Sequence, residues 1–574
     1  MGYLITLFQA FLVVVCKKSY FCVACGPEGA RFFVWSFKNQ ASMTGSRFIG
    51  EKLWNGATVF HGIVYARYAR FGMPEMVEYG EGEIVDAREY GCVCPQNLSH
   101  LLEQLGPDSG LKMSEGELCL SVTVPGATSA NCGSGEELVE AKENCGSGEA
   151  PVATYANCCS GEESGASGEE SLGEEHRRLP VMVWIHGGFY LTGGSEDHRY
   201  DVSSLAQTGD VIVVKISYRL GAEGYIWHPE RGVANLGLED QKTALRWIRR
   251  HIASFGGDPD NVTVFGQSAG AHSIASLIAS ADDVEPITNV PRFGGEPLFH
   301  RAILQSPPLG NTITPKAAAK VTDAFLDRLS AIAGLGGVPG ESARERREKC
   351  FDKAVEGDEV TLEHIIEAQD AVKSMRLGLI FLPVLRDYMR IPPVGEQSEG
   401  RDCDCGQPNR GAVTCAHEQP GRDALICATG QPNRDAVDGK DRFRVLVGYN
   451  ADDASPYIRK WTGFLWKTPL RRPLVKFLTD KVFRKPALRY AAKLRSAGIE
   501  AQTYCFSWHP QGSELGACHS IELPFLLGKP EDWGSAEMLQ GMTREEYEAN
   551  SAKFQSLWTK FARSGEFPAT GSIK

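Results

Sequence analysis

The chain has 574 residues, 42% hydrophobic and 9% aromatic, with a formal net charge of −12. That is an ordinary globular balance with ample chain for a large buried core, and it excludes a fibrous or collagen-like polymer. Residues 130–175 hold 11 acidic residues against Lys142 alone, −10 of the −12, so the remainder is nearly neutral and implies neither a nucleic-acid partner nor a charge-steered substrate.

At the N-terminus, YLITLFQAFLVVV is apolar but too short to span a bilayer. No basic residue precedes it and Lys17-Lys18 follow it, which makes a poor secretory signal. MGYLIT meets the minimal myristoylation pattern through Gly2 and Thr6, with bulky Tyr3 against it. We read 1–43 as an extension outside the fold, with Met43 as a natural start, and 44–574 as one domain.

Two segments repeat internally. NCGSGE begins at Asn131 and Asn144 and NCCSGE at Asn157, a period of 13; GQPNRGAV, EQPGRDAL and GQPNRDAV begin at 406, 418 and 430, a period of 12. Both lack the bulky apolar residues that would offset ordering entropy, so insertions at 129–177 and 395–440 are expected to be disordered surface segments. Cys403, Cys405, Cys415 and His417 match no common zinc spacing well, and no metal is expected.

Between the insertions, apolar strands alternate with amphipathic helices. Strands are expected at 179–185, 210–218, 261–265, 299–306, 442–448 and 502–508, and helices at 238–255 and 269–280. Continuous apolar strands between helices predict an α/β protein whose mostly parallel sheet is covered on both faces, with its site at the carboxyl ends of the strands.

One such end reads NVTVFGQSAGAHS, where Gly266-Gln267-Ser268-Ala269-Gly270 is a G-x-S-x-G at a strand-to-helix corner. A nucleophile elbow needs small neighbours for a close helix approach, and the turn aims the Ala269 N–H above Ser268, where the helix N-terminus favours an oxyanion. A serine hydroxyl is a poor nucleophile without a base. In this architecture an acid and then a histidine follow in chain order. VLVGYNADDAS places Asp452 and Asp453 past a strand, and beyond them the chain holds only His509 and His519. Upstream, VWIHGGFY sets His186-Gly187-Gly188-Phe189 after a strand, like the HGGG-type oxyanion loop of lipases and esterases. Phe189 and Tyr190 suit either a pocket wall or the core.

These motifs together resemble the type-B carboxylesterase family, which includes the cholinesterases and para-nitrobenzyl esterases. The resemblance runs from about residue 60 to about 565: FHGIVYARYARF, ISYRLGAEGY, NLGLEDQKTALRWIRRHIASFGGDPDNVTVFGQSAGAHS, LFHRAILQSP and GACHSIELPFLLG each match a family motif. It implies an α/β-hydrolase fold and ester cleavage through an acyl-enzyme, without cofactor. Ser268 then corresponds to the nucleophile, His519 to the base and Asp453 to the orienting acid, where the family usually carries glutamate. Gly187, Gly188 and Ala269 correspond to the oxyanion donors, and Arg219 and Asp240 to a structural ion pair.

Three features depart from the family pattern. Ala454 replaces the glycine after the acid. Glu117 stands where the family carries a disulfide cysteine, leaving Cys94 without that partner, while Cys119 lies two positions on, on the same strand face. A terminal W-P-x-Y segment is missing after LWTKFARSGEFP. The implied partner is a small ester with an apolar acyl or alcohol group, and the cysteine pattern favours a reduced, cytoplasmic protein over a secreted or membrane-associated one. Two alternatives stand beside it: a binding protein on the same fold that has lost catalysis, and a hydrolase of amides, carbamates or lipids.

Overall fold

The computed structural model describes residues 46–574 except 81, 98–111, 127–177, 286–287, 312, 375–380, 385–441, 462, 535, 569–570 and 574, together with the strand backbones of 12–16, 19–26, 29–35 and 40–43. The expected insertions at 129–177 and 395–440, with Cys403, Cys405, Cys415 and His417, lie outside the described residues.

An eleven-stranded sheet organises the chain. Its strands are β1 (Glu51–Lys52), β2 (Thr58–Arg67), β3 (Glu75–Met76), β4 (Glu117–Val124), β5 (Leu179–Ile185), β6 (Ile212–Ile216), β7 (Gly257–Gln267), β8 (Arg301–Gln305), β9 (Arg444–Asn450), β10 (Glu500–Phe506) and β11 (Gly571–Ile573). The order across the sheet is β11-β10-β9-β8-β7-β5-β6-β4-β2-β1, with β3 on β2. From β6 to β11 every pairing is parallel, while β4, β2, β1 and β3 add an antiparallel flank. Upstream, 12–16, 19–26 and 29–35 pair into a separate antiparallel sheet, and Gln40–Met43 pairs with Ser46–Ile49.

Strand β5 shows why both faces must be covered. Val181, Val183 and Ile185 enter one apolar core, and Met182 and Trp184 enter the other. Helices α2 (Leu236–His251) and α3 (Ala269–Ser280) pack on the first face, and α1 (Ser203–Gly209) and α11 (Arg544–Ser564) on the second. Between them in sequence lie α4 (Pro315–Ile332), α5 (Ala343–Glu356), α6 (Leu362–Ser374), α7 (Ser455–Trp461), α8 (Gly463–Trp466), α9 (Arg471–Thr479) and α10 (Lys485–Ser496).

Arg219 and Asp240 form a fully buried bidentate pair, Nε to Oδ2 at 2.9 Å and Nη2 to Oδ1 at 2.6 Å, which ties the loop after β6 to α2. Among the cysteines, Cys119 meets Cys92 rather than Cys94, with the sulfurs 3.3 Å apart as free thiols. A register shift in the β4–β2 ladder separates Cys119 from Glu117, and the cysteine it meets is Cys92.

Candidate active site

Ser268 sits between β7 and α3 with φ 56° and ψ −118°, a conformation that only tight surroundings maintain. Its N–H donates to the Gln305 carbonyl at 2.9 Å, and its carbonyl accepts from His272 N at 2.9 Å. Gly270 permits the corner, because a Cβ there would collide with the Ile185 carbonyl oxygen. Ser268 caps α3 without a side-chain hydrogen bond, so its side chain leaves the first-turn amides, Ala269 first, uncapped at the positive end of the helix.

The loop after β5 supplies the facing wall. Gly188 has φ 112°, and Phe189 and Tyr190 follow at 60° and 61°. The Gly188 carbonyl accepts from Leu191 N at 3.0 Å and Thr192 N at 3.1 Å, closing the turn. His186 is buried and stacked on Tyr218, and burial pulls its imidazole down to about 4, so it is a neutral prop beneath this loop. Phe189 lines the pocket, whereas Tyr190 belongs to the core and bonds through its hydroxyl to His272 Nδ1 at 2.7 Å.

The remaining groups come from past β9 and β10. Asp453 is fully buried, and its Oδ2 accepts from Asn450 N at 2.7 Å and Ser306 Oγ at 2.9 Å. Its Oδ1 lies 2.8 Å from His519 Nδ1. The neighbouring Asp452 turns away and accepts from Ala517 N at 3.1 Å. His509 is likewise elsewhere, in an adjoining cleft with its Nδ1 3.0 Å from the Pro510 carbonyl. The imidazole of His519 is walled by Phe483 and Tyr457, with ring centres 5.1 and 5.5 Å away.

His519 Nε2 faces the Gln267 amide nitrogen at 3.0 Å. Both contacts favour one tautomer: Nδ1–H donates to Asp453, and Nε2 accepts from Gln267 with its lone pair directed into the site. Ser268 Oγ makes no hydrogen bond among the described residues. Gln267 and Glu522 escaped the sequence reading. Glu522 is fully buried, bonds to Asn450 Nδ2 at 2.6 Å, and has its carboxyl pushed above the usual range by burial. Its position three residues after His519 was the one available signal.

Ser268, His519, Gly187, Gly188 and Gln267 all line one pocket of about 420 Å³, walled on its apolar side by Phe189, Leu523 and Met538. Among the described residues no cluster of side chains fits a metal ion. A serine in an elbow at the carboxyl end of a parallel strand, followed in the chain by a carboxylate and then by an imidazole that bonds it and shares the serine's pocket, is the arrangement of an α/β-hydrolase.

The chain belongs to the carboxylesterase family, whose model matches residues 41–387. It is 32% identical to the para-nitrobenzyl esterase of Bacillus subtilis, over 90% of this chain and 88% of that protein. It is 29% identical to a probable N-octanoylanthranilate hydrolase of Rhodococcus erythropolis, over 89% and 91%. A solved thermophilic para-nitrobenzyl esterase superposes with a TM-score of 0.60 at 26% identity, covering 93% of this chain and 94% of that one. The protein is a carboxylic ester hydrolase.

Proposed function

We propose that Ser268 is the nucleophile, His519 the general base and acid, Asp453 the orienting carboxylate, and the N–H groups of Gly187, Gly188 and Ala269 the oxyanion donors. In the first step Ser268 Oγ attacks the ester carbonyl while its proton passes to His519 Nε2. For this, Oγ must displace the Gln267 amide as the partner of Nε2. Asp453 stabilises the imidazolium so formed. The tetrahedral oxyanion binds the three N–H groups, each worth roughly 10²–10³ in rate. The imidazolium then protonates the leaving alcohol as the C–O bond breaks, and water releases the acid by the reverse sequence.

The observation that carries this reading is the 2.8 Å Asp453–His519 bond, made by an imidazole that shares a pocket with the strained Ser268. The apolar wall supports small esters with an apolar acyl or alcohol part as substrates. The sheet running from Glu51 to Ile573 supports one hydrolase domain over 44–574. Glu117 at the usual disulfide position supports a reduced, cytoplasmic setting. Hydrolysis of p-nitrophenyl butyrate by the full chain should fall about 10⁴-fold or more in Ser268→Ala with the fold intact. Equal rates for the two proteins, or a fluorophosphonate tag mapped to another serine, would reject the assignment.

A further inference from the structure

The segment 455–489 has a charge opposite to that of the rest of the chain. It holds ten Lys and Arg against Asp480 alone, a net of +9 in a protein of net −12. Helix α9, a single π turn at Asp480–Arg484 and α10 run on from one another. Along them Arg472, Lys476, Lys481, Lys485 and Arg489 recur about once per turn, all exposed, with exposed Lys467 just upstream. The π turn absorbs the one five-residue step in that spacing. Of the ten cations, Arg459 pairs with Glu537 and Arg484 with Asp480 at 3.1 Å; the others have no carboxylate within ion-pair distance among the described residues.

Apolar side chains accompany this charge. Leu470 and Phe477 are each 60% exposed, and Pro473 between them is exposed too. The spacing i, i+3, i+7 puts the three on one solvent-facing stripe of α9. Trp466 is buried beneath, covered by the Arg471 and Arg459 guanidiniums at 4.9 and 6.0 Å. Arg459 and Lys460 of the same segment also line the pocket of Ser268.

We propose that this face docks on anionic lipid surfaces. Clustered cations draw in the surface negative charge, and an apolar stripe between them enters the headgroup region, the composition of an interfacial helix. A binding groove for a peptide would bury the stripe in a concavity, whereas Leu470 and Phe477 stand out from the surface. Docking would present the mouth of the pocket to the lipid phase where apolar esters concentrate. That use rests on the esterase reading, but the docking does not.

The test is co-sedimentation of the full chain with phosphatidylcholine vesicles and with phosphatidylcholine–phosphatidylglycerol vesicles. Partitioning to the anionic vesicles should be at least about tenfold stronger and weaken with salt. Lys476→Glu/Lys481→Glu/Lys485→Glu should lower it about a hundredfold or more, and Phe477→Ser should lower it at fixed charge. Both variants should hydrolyse soluble p-nitrophenyl butyrate at the parental rate, which reports on folding independently of vesicle binding. Equal binding to the two vesicle types, or undiminished binding by the triple variant, would overturn the proposal. So would self-association abolished by the triple variant in the absence of vesicle binding, which would assign the face to a second copy.

Discussion

The two walls of the pocket are built by different means. On one side the groups are held by backbone: Ser268 by its elbow, Gly187 and Gly188 by a turn that only positive φ closes. On the other side they are held through their own side chains: the Asp453 carboxylate by the Ser306 hydroxyl and the Asn450 backbone N–H, the His519 imidazole by Asp453 and Gln267. Backbone placement is local and rigid, so a few residues specify it. Side-chain placement depends on partners far apart in sequence, so it can be retuned by one substitution without disturbing the strands.

That difference predicts distinct failures. Asp453→Asn should cost activity heavily, about 10⁴-fold in kcat, with little change in KM or in folding. An amide facing Nδ1 favours the wrong tautomer and withdraws support from the imidazolium. A loss under tenfold would mean that His519 needs no acid partner. Gly188→Ala strikes the other wall. At φ 112° its Cβ would collide with the Thr192 carbonyl, so the turn must open. Activity should fall about 10²–10³-fold, together with a stability loss of roughly 2 kcal/mol or more seen in urea unfolding. Activity lost without any stability loss would contradict a backbone-held wall.

The same contrast sets what could be read from sequence. Strand β5 and helix α3 were expected at 179–185 and 269–280, the bounds observed, because a glycine or serine corner ends each apolar run. The expected helix at 238–255 instead begins at Leu236, ends at His251 and continues as a 3₁₀ turn, since Ile252–Phe255 is apolar enough to extend the pattern. Strands β2 and β4 were recognisable only through family motifs: Gly62 and the bulges opposite Leu118–Val122 break their alternation. Position past a strand did not separate Asp452 from Asp453; the family resemblance singled out Asp453, and the folded loop turns that carboxylate to His519 while Asp452 bonds to Ala517 N. Gln267 occupies a variable position of G-x-S-x-G, and nothing local marks a contact across 252 residues.

That contact offers a sharper test of the side-chain wall. In Gln267→Glu a carboxylate would replace the amide 3.0 Å from His519 Nε2. A negative charge there favours the imidazolium, and the base must be neutral to act. The acid limb of kcat/KM should therefore move up by about one pH unit or more, with the loss confined to the acid side and recovered at higher pH. An unchanged limb would place Gln267 away from the working imidazole.

The smallest effect expected lies away from the pocket, at another carboxyl. Glu223 is buried beside the Arg219–Asp240 pair, with the Tyr68 hydroxyl 3.5 Å from Oε2 and no partner for Oε1 among the described residues. Burial pushes its carboxyl up from an ordinary 4.5 to about 7, against the pull of Arg219. An acid raised in the folded state stabilises the fold while protonated, and that contribution is lost as pH rises from the unfolded value through the folded one. Stability should thus decline between about pH 4.5 and 7 through this group. Glu223→Gln keeps the shape and removes the charge. It should match the parent near the low end of that window and exceed it above the high end, by on the order of 1–3 kcal/mol in urea unfolding. A gap between the two proteins that is independent of pH would show that Glu223 is ionised throughout, held by Arg219 in spite of its burial.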